Sequence, residues 1–117
     1  MPMLATVLVL LVAALHLGFL VLEMFLWTRP LGRRIFRLTA ERAEMSKVLA
    51  ANQGLYNGFL AAGLAWAGID ARQDVALFFL GCVVVAGIYG AATTNWRIFV
   101  AQALPALAAI AAICLVR

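Results

Sequence analysis

Charge is what this 117-residue chain has least of: 12% of its residues are charged and 67% are hydrophobic. A soluble domain carries about 25% charged residues, so roughly half the charge needed for a water-facing coat is missing. A small soluble globule is excluded, as are a disordered segment and a nucleic-acid module. Cysteine is nearly absent too. The two present, Cys82 and Cys114, form no CxxC pair and no disulfide framework, and both read as small buried hydrophobes. The lone histidine and the lone acid within the apolar runs do not make a metal cage. A P-loop, a dinucleotide fingerprint and a nucleophile elbow are all lacking. Neither a metal nor a cofactor is expected.

Long uncharged runs take the place of these features, over residues 1–22, 24–28, 48–69, 75–96 and 98–116. A bilayer core of about 30 Å needs about 20 apolar residues in a helix rising about 1.5 Å each. Spans are expected at about 4–28, 48–69, 75–94 and 98–116. The runs lack the alternation of barrel strands, so helices are the remaining way across lipid. The expectation is an all-α polytopic membrane protein, one domain over 1–117 with four transmembrane helices in an antiparallel bundle. The first run has no basic n-region, exceeds an h-region and carries Glu23, so it reads as a span, not a cleaved signal.

The bases set the orientation. Arg29, Arg33, Arg34, Arg37, Arg42 and Lys47 share the first loop, and Arg97 the third, against Arg72 and Arg117 on the other side. The positive-inside rule places residues 29–47 in the cytoplasm and both termini outside, in a bacterial cytoplasmic membrane. The net charge of +4 then reflects topology and anionic lipid headgroups, and membrane lipids are the expected partners. Pro30 and Gly32 are expected to break the helix after Trp27. Arg33–Leu38 suits an interfacial segment. Thr39 reads as an N-cap, with Glu41 and Glu44 in the first turns of a helix running to about Gly68. Asp70–Asp74 is a short hairpin connection.

Polar residues inside the runs carry the remaining information. Glu23 is costly in lipid unless protonated or paired, and two readings compete. It either snorkels toward the Arg29–Arg34 cluster or is an inward-facing functional acid. His16, seven residues earlier, projects from nearly the same face, as do Phe19, Leu20 and Trp27. His16 is the weaker catalytic candidate and reads more simply as a hydrogen-bonded structural residue. Asn52, Gln53, Tyr56 and Asn57 form a polar block beside the small-residue ridge Gly54, Gly58 and Ala62. These amides read equally as interhelical bonds or as a site. With Tyr89, Thr93, Thr94 and Gln102, all four spans carry their polar side chains at one depth. The outer halves hold almost nothing polar beyond Thr6. A polar pocket open to the cytoplasm or inner leaflet is the inference, and Pro105 is expected to kink the last span.

The blocks Glu23–Thr28, Gly32–Phe36, Asn52–Gly63, Gly87–Gly90 and Gln102–Pro105 resemble a family of small bacterial membrane proteins, the domain of unknown function numbered 1304. The resemblance covers nearly the whole chain, and Asn52–Gly63 is its most specific part. It implies a four-helix bacterial integral membrane protein and supplies no activity. The turn Thr94–Arg97 departs from it mildly, with one base where a more basic loop is expected.

Three functions fit. The leading one binds a small amphipathic or lipid-like ligand, with Glu23 as proton-transfer group. Trp27, Asn52, Gln53, Tyr56 and Asn57 would orient that ligand, as would Tyr89, Thr93, Thr94 and Gln102. An isomerase or cyclase needs no metal or nucleotide; whether chemistry follows binding is open in the sequence. The second is a proton-coupled transporter of fixed orientation, since seven bases against two oppose a dual-topology dimer. The third is a structural subunit of a membrane complex. A homo-oligomer is compatible with each.

Overall fold

The computed structural model describes residues 1–116; Arg117, which the charge pattern was expected to place outward, lies outside the described residues. The described chain is all-α: α1 Met3–Met24, α2 Pro30–Phe36, α3 Ala40–Ile69, α4 Gln73–Thr93 and α5 Trp96–Leu115. Three of these, α1 (22 residues), α4 (21) and α5 (20), are long and apolar enough to cross a membrane. Only 22–28% of the apolar window of each is buried inside the protein. Large side chains such as Val7, Leu11, Phe78 and Val85 are exposed instead. An outer surface that apolar is stable against lipid and not against water. The chain is therefore read as a membrane protein.

The 30-residue α3 does not join those three. Its first turns carry Glu41, Arg42, Glu44 and Lys47, and its middle carries Asn52, Gln53 and Asn57. Its start matches the expected cap: the Thr39 hydroxyl accepts from the Arg42 amide at 3.1 Å. The first connection differs from expectation. Helix α1 stops at Met24, before the charge-free run ends, and Pro30 opens a helix instead of breaking one. Arg29 before it is extended, as steric conflict with the proline ring requires, and Pro30 sits where no amide donor is needed. Arg37 then ends α2 in the left-handed region (φ 55°), and Ala71 does the same after α3 (φ 52°). In both turns an amide reaches back to an orphan carbonyl, Leu38 to Arg33 and Arg72 to Ala67, each at 2.9 Å.

Two compact units divide the chain: residues 1–14 with 60–117, and residues 15–59. The first has a core drawn from four helical segments. Val9 and Val12 of α1, Leu64 and Ala67 of α3, Leu80 and Val83 of α4, and Ala106, Ala109 and Ile113 of α5 are all buried in it. The alanines of α5 supply packing surface in that core. At Pro105 the structure has a π turn, Phe99–Ala103, in which the Leu104 amide reaches Phe99 O. Wide turns of this kind re-satisfy the carbonyls that a proline leaves free. Asn95 caps α5 by accepting from the Arg97 amide at 2.8 Å. Arg72 and Asp74 form a two-pronged ion pair at 3.0 and 2.9 Å across the first turn of α4. Cys82 is half-buried, Cys114 is exposed, and both thiols are free.

The π turn packs closely on α4. A Cβ on Gly87 would lie 2.9 Å from Ala103 Cβ and 3.0 Å from its backbone nitrogen, whereas Gly81 has nothing within 4 Å. Gly87→Ala should therefore lower stability by about 1–3 kcal/mol through overpacking. Gly81→Ala should leave it unchanged or raise it by up to about 1 kcal/mol. Melting of both variants in detergent checks the pair, and equal effects would contradict the close approach.

Candidate functional site

The unit formed by residues 15–59 is a helical hairpin with α2 as its elbow. Its two long arms approach closely because α3 presents glycine there. A Cβ on Gly54 would fall 2.7 Å from Met24 Cγ and 3.0 Å from Glu23 Cβ, and one on Gly58 would fall 2.6 Å from Leu20 Cδ1. The helical period places Asn57 on the same inward face, where it is 4% exposed. Ala61, buried, continues this face; Ala62, the third member of the expected ridge, is exposed.

Asn57 donates its side-chain amide to the Glu23 carboxylate. That contact settles what Glu23 touches. The ion pairs among the described residues are Lys47 with Glu44 and Arg72 with Asp74, so the partner of Glu23 is an amide and not the arginine cluster. A hydrogen bond from an amide satisfies a half-buried carboxyl group that lipid would leave without a partner. His16 lies two turns earlier on α1, fully buried, with its ring edge-on to Phe19 at a centroid distance of 5.2 Å.

The elbow is fastened by Trp27. Its indole donates to Ser46 Oγ at 3.0 Å, and Ser46 in turn donates to Arg42 O at 2.7 Å. The Trp27 and Phe36 rings stack at a tilt, 4.7 Å between centroids. Gly32 is buried beneath the Leu26 carbonyl, where any side chain would collide. Gly32 is thus a packing residue and not the helix breaker its type suggested.

An open cleft of about 340 Å³ lies beside these contacts, between the end of α1 and the start of α3. Glu23, Trp27, Thr28 and Lys47 give it polar groups, and Met24, Phe25, Val48 and Ala51 line the rest. One carboxylate, one ammonium and one hydroxyl thus border an apolar floor. The cleft is thus amphipathic, an apolar floor bordered by a few polar groups. Among the described residues no three His, Cys, Asp or Glu side chains converge, so the geometry offers no metal cage.

The other residues singled out by sequence stand elsewhere. Asn52, Gln53 and Tyr56 are exposed on α3 and do not line the cleft, because the helical register that turns Asn57 inward turns them out. Tyr89, Thr93, Thr94 and Gln102 belong to the other unit. There Tyr89 is 70% exposed and Thr93 bonds back to Tyr89 O at 2.7 Å. Thr94 ends α4, and Gln102 is half-buried within the π turn. Sequence reasoning passed over Thr28, Ser46 and Lys47. Lys47 was read only as a topological charge, although its spacing four residues before Ala51 marks it as sharing that face.

The pairing of Glu23 with Asn57 has a measurable consequence. Asn57→Leu keeps the shape and deletes the donor, leaving a half-buried carboxylate unpaired at a cost of about 1–3 kcal/mol. The double variant Glu23→Leu/Asn57→Leu should recover most of that loss, since two apolar groups of similar shape replace the pair. Detergent melting of the single and double variants checks this; additive losses would show the two side chains to be independent.

A family model described as a protein of unknown function, DUF1304, matches residues 10–114. The chain is also similar to the uncharacterized protein YpaA of Lactococcus lactis subsp. lactis (strain IL1403). Identity is 32% over 106 residues, covering 87% of this chain and 89% of the relative. No solved structure matches.

Proposed function

The chain belongs to the DUF1304 family of unknown function, and we propose that it binds a small amphipathic molecule in the cleft at its elbow. The observation that carries this reading is the Glu23 carboxylate, held by Asn57 on the wall of a cleft with an apolar floor. Glu23 is the group that takes or gives a proton. Trp27 and Lys47 position the head of the ligand, and Phe25 and Val48 receive its hydrocarbon. An isomerase or cyclase reaction is the chemistry compatible with such a site.

The proposed setting is a bacterial cytoplasmic membrane, with α3 as a fourth span in an antiparallel bundle. At about 1.5 Å per residue, α3 is about 45 Å long, more than a bilayer core requires. The Asn57–Glu23 bond supports its insertion, because each polar group relieves the other. The seven bases on loops one and three, against two, favour both termini outside.

Topology is tested with single cysteines in a Cys82→Ser/Cys114→Ser background. Gln73→Cys should react with a membrane-impermeant maleimide on intact cells, and Glu41→Cys only after permeabilisation. The reverse pattern would place the cleft on the outer side. Ligand binding is tested by native mass spectrometry of the purified protein. Wild type should carry an amphipathic small molecule, and Val48→Trp, which fills the cleft, should lose it. Glu23→Gln should melt like wild type, since a glutamine oxygen still accepts from Asn57, yet its ligand content should no longer vary with pH. An identical pH response in wild type and variant would remove Glu23 from the proton-transfer role.

A further inference from the structure

Asn52 and Tyr56 take no part in the cleft, and they stand on an exposed face of α3 with Met45, Leu49 and Phe59. Met45 is 81% exposed, Leu49 74%, Tyr56 58% and Phe59 55%. Positions 45, 49, 52, 56 and 59 step by four, three, four and three residues, the spacing of a seam by which one helix packs along another. No single solvent suits this seam. Water would leave Met45, Leu49 and Phe59 bare, and lipid would leave the Asn52 amide without a hydrogen-bond partner. A protein surface with both kinds of group satisfies it.

We propose that this seam is the contact between two copies of the chain, with Asn52 of each facing its counterpart across a two-fold axis. The pairing rests on α3 crossing the membrane, as proposed above. Loop charges insert every copy the same way up, so two α3 helices meet in parallel, and a two-fold axis along them sets each seam residue opposite itself. Self-opposition suits an amide. The positive N–H of one Asn52 meets the negative carbonyl oxygen of the other, and the bond can be made in both directions. An acid or a base in that place would meet its like. One asparagine among Met45, Leu49, Tyr56 and Phe59 also fixes the register of the two helices.

The test uses the full chain in membranes, again with Cys82→Ser/Cys114→Ser. Under mild oxidation Leu49→Cys, Asn52→Cys and Tyr56→Cys should give disulfide-linked dimers, while Lys47→Cys and Ala51→Cys, off the seam, should not. In detergent, Asn52→Leu should weaken dimerisation about three- to thirtyfold, as loss of an interhelical bond in a membrane protein does, with the monomer's melting unchanged. Asn52→Gln, which keeps the amide, should restore part of it. Equal cross-linking at all five positions, or dimerisation unaffected by Asn52→Leu, overturns the seam. Labelling of unoxidised Asn52→Cys by an impermeant maleimide separates the two readings. Protection with a flat cross-linking pattern sinks the seam alone; rapid labelling sinks the α3 span and the seam with it.

Discussion

A carboxylate on an apolar helix has to be paired, and the pairing of Glu23 with Asn57 is the interaction around which residues 15–59 are arranged. It ties α1 to α3 at one register, since a shift of either helix by a single residue would rotate its partner about 100° away. The close approach that the bond demands is supplied by Gly54 and Gly58, whose missing side chains receive Met24 and Leu20. The same register decides what remains outside. With Asn57 turned inward, Asn52, Gln53 and Tyr56 are turned outward. One helix therefore carries a buried amide paired with Glu23 and exposed polar side chains that are turned away from it.

The elbow holds this pairing in place. Chain reversal between α1 and α3 is accomplished by a seven-residue helix pinned at both ends. Trp27 bonds to Ser46 across the reversal, its ring stacks on Phe36, and Gly32 lets the backbone of α2 lie against Leu26. The result is a cleft whose walls come from side chains far apart in sequence, Glu23 and Trp27 from one arm and Lys47 and Val48 from the other.

Composition and spacing alone determined the class of this protein. A shortage of charge, together with apolar runs of about 20 residues, requires helices in lipid, because lipid offers the backbone no hydrogen-bond partner. Thr39 as a cap and Glu23 as the residue out of place were legible for the same local reasons. Proline and glycine in the first loop were misread because their effect depends on position: Pro30 at the first turn starts a helix, and Gly32 serves a contact with Leu26 that no local pattern records. Only the tertiary structure decided the partner of Glu23, since arginines six to eleven residues on and an amide thirty-four residues on are equally permitted by sequence. It also decided which amides face in and which face out. Hydropathy counts side chains along the chain, whereas burial depends on which faces two helices turn to each other, here the face of α3 that carries Gly54, Asn57 and Gly58.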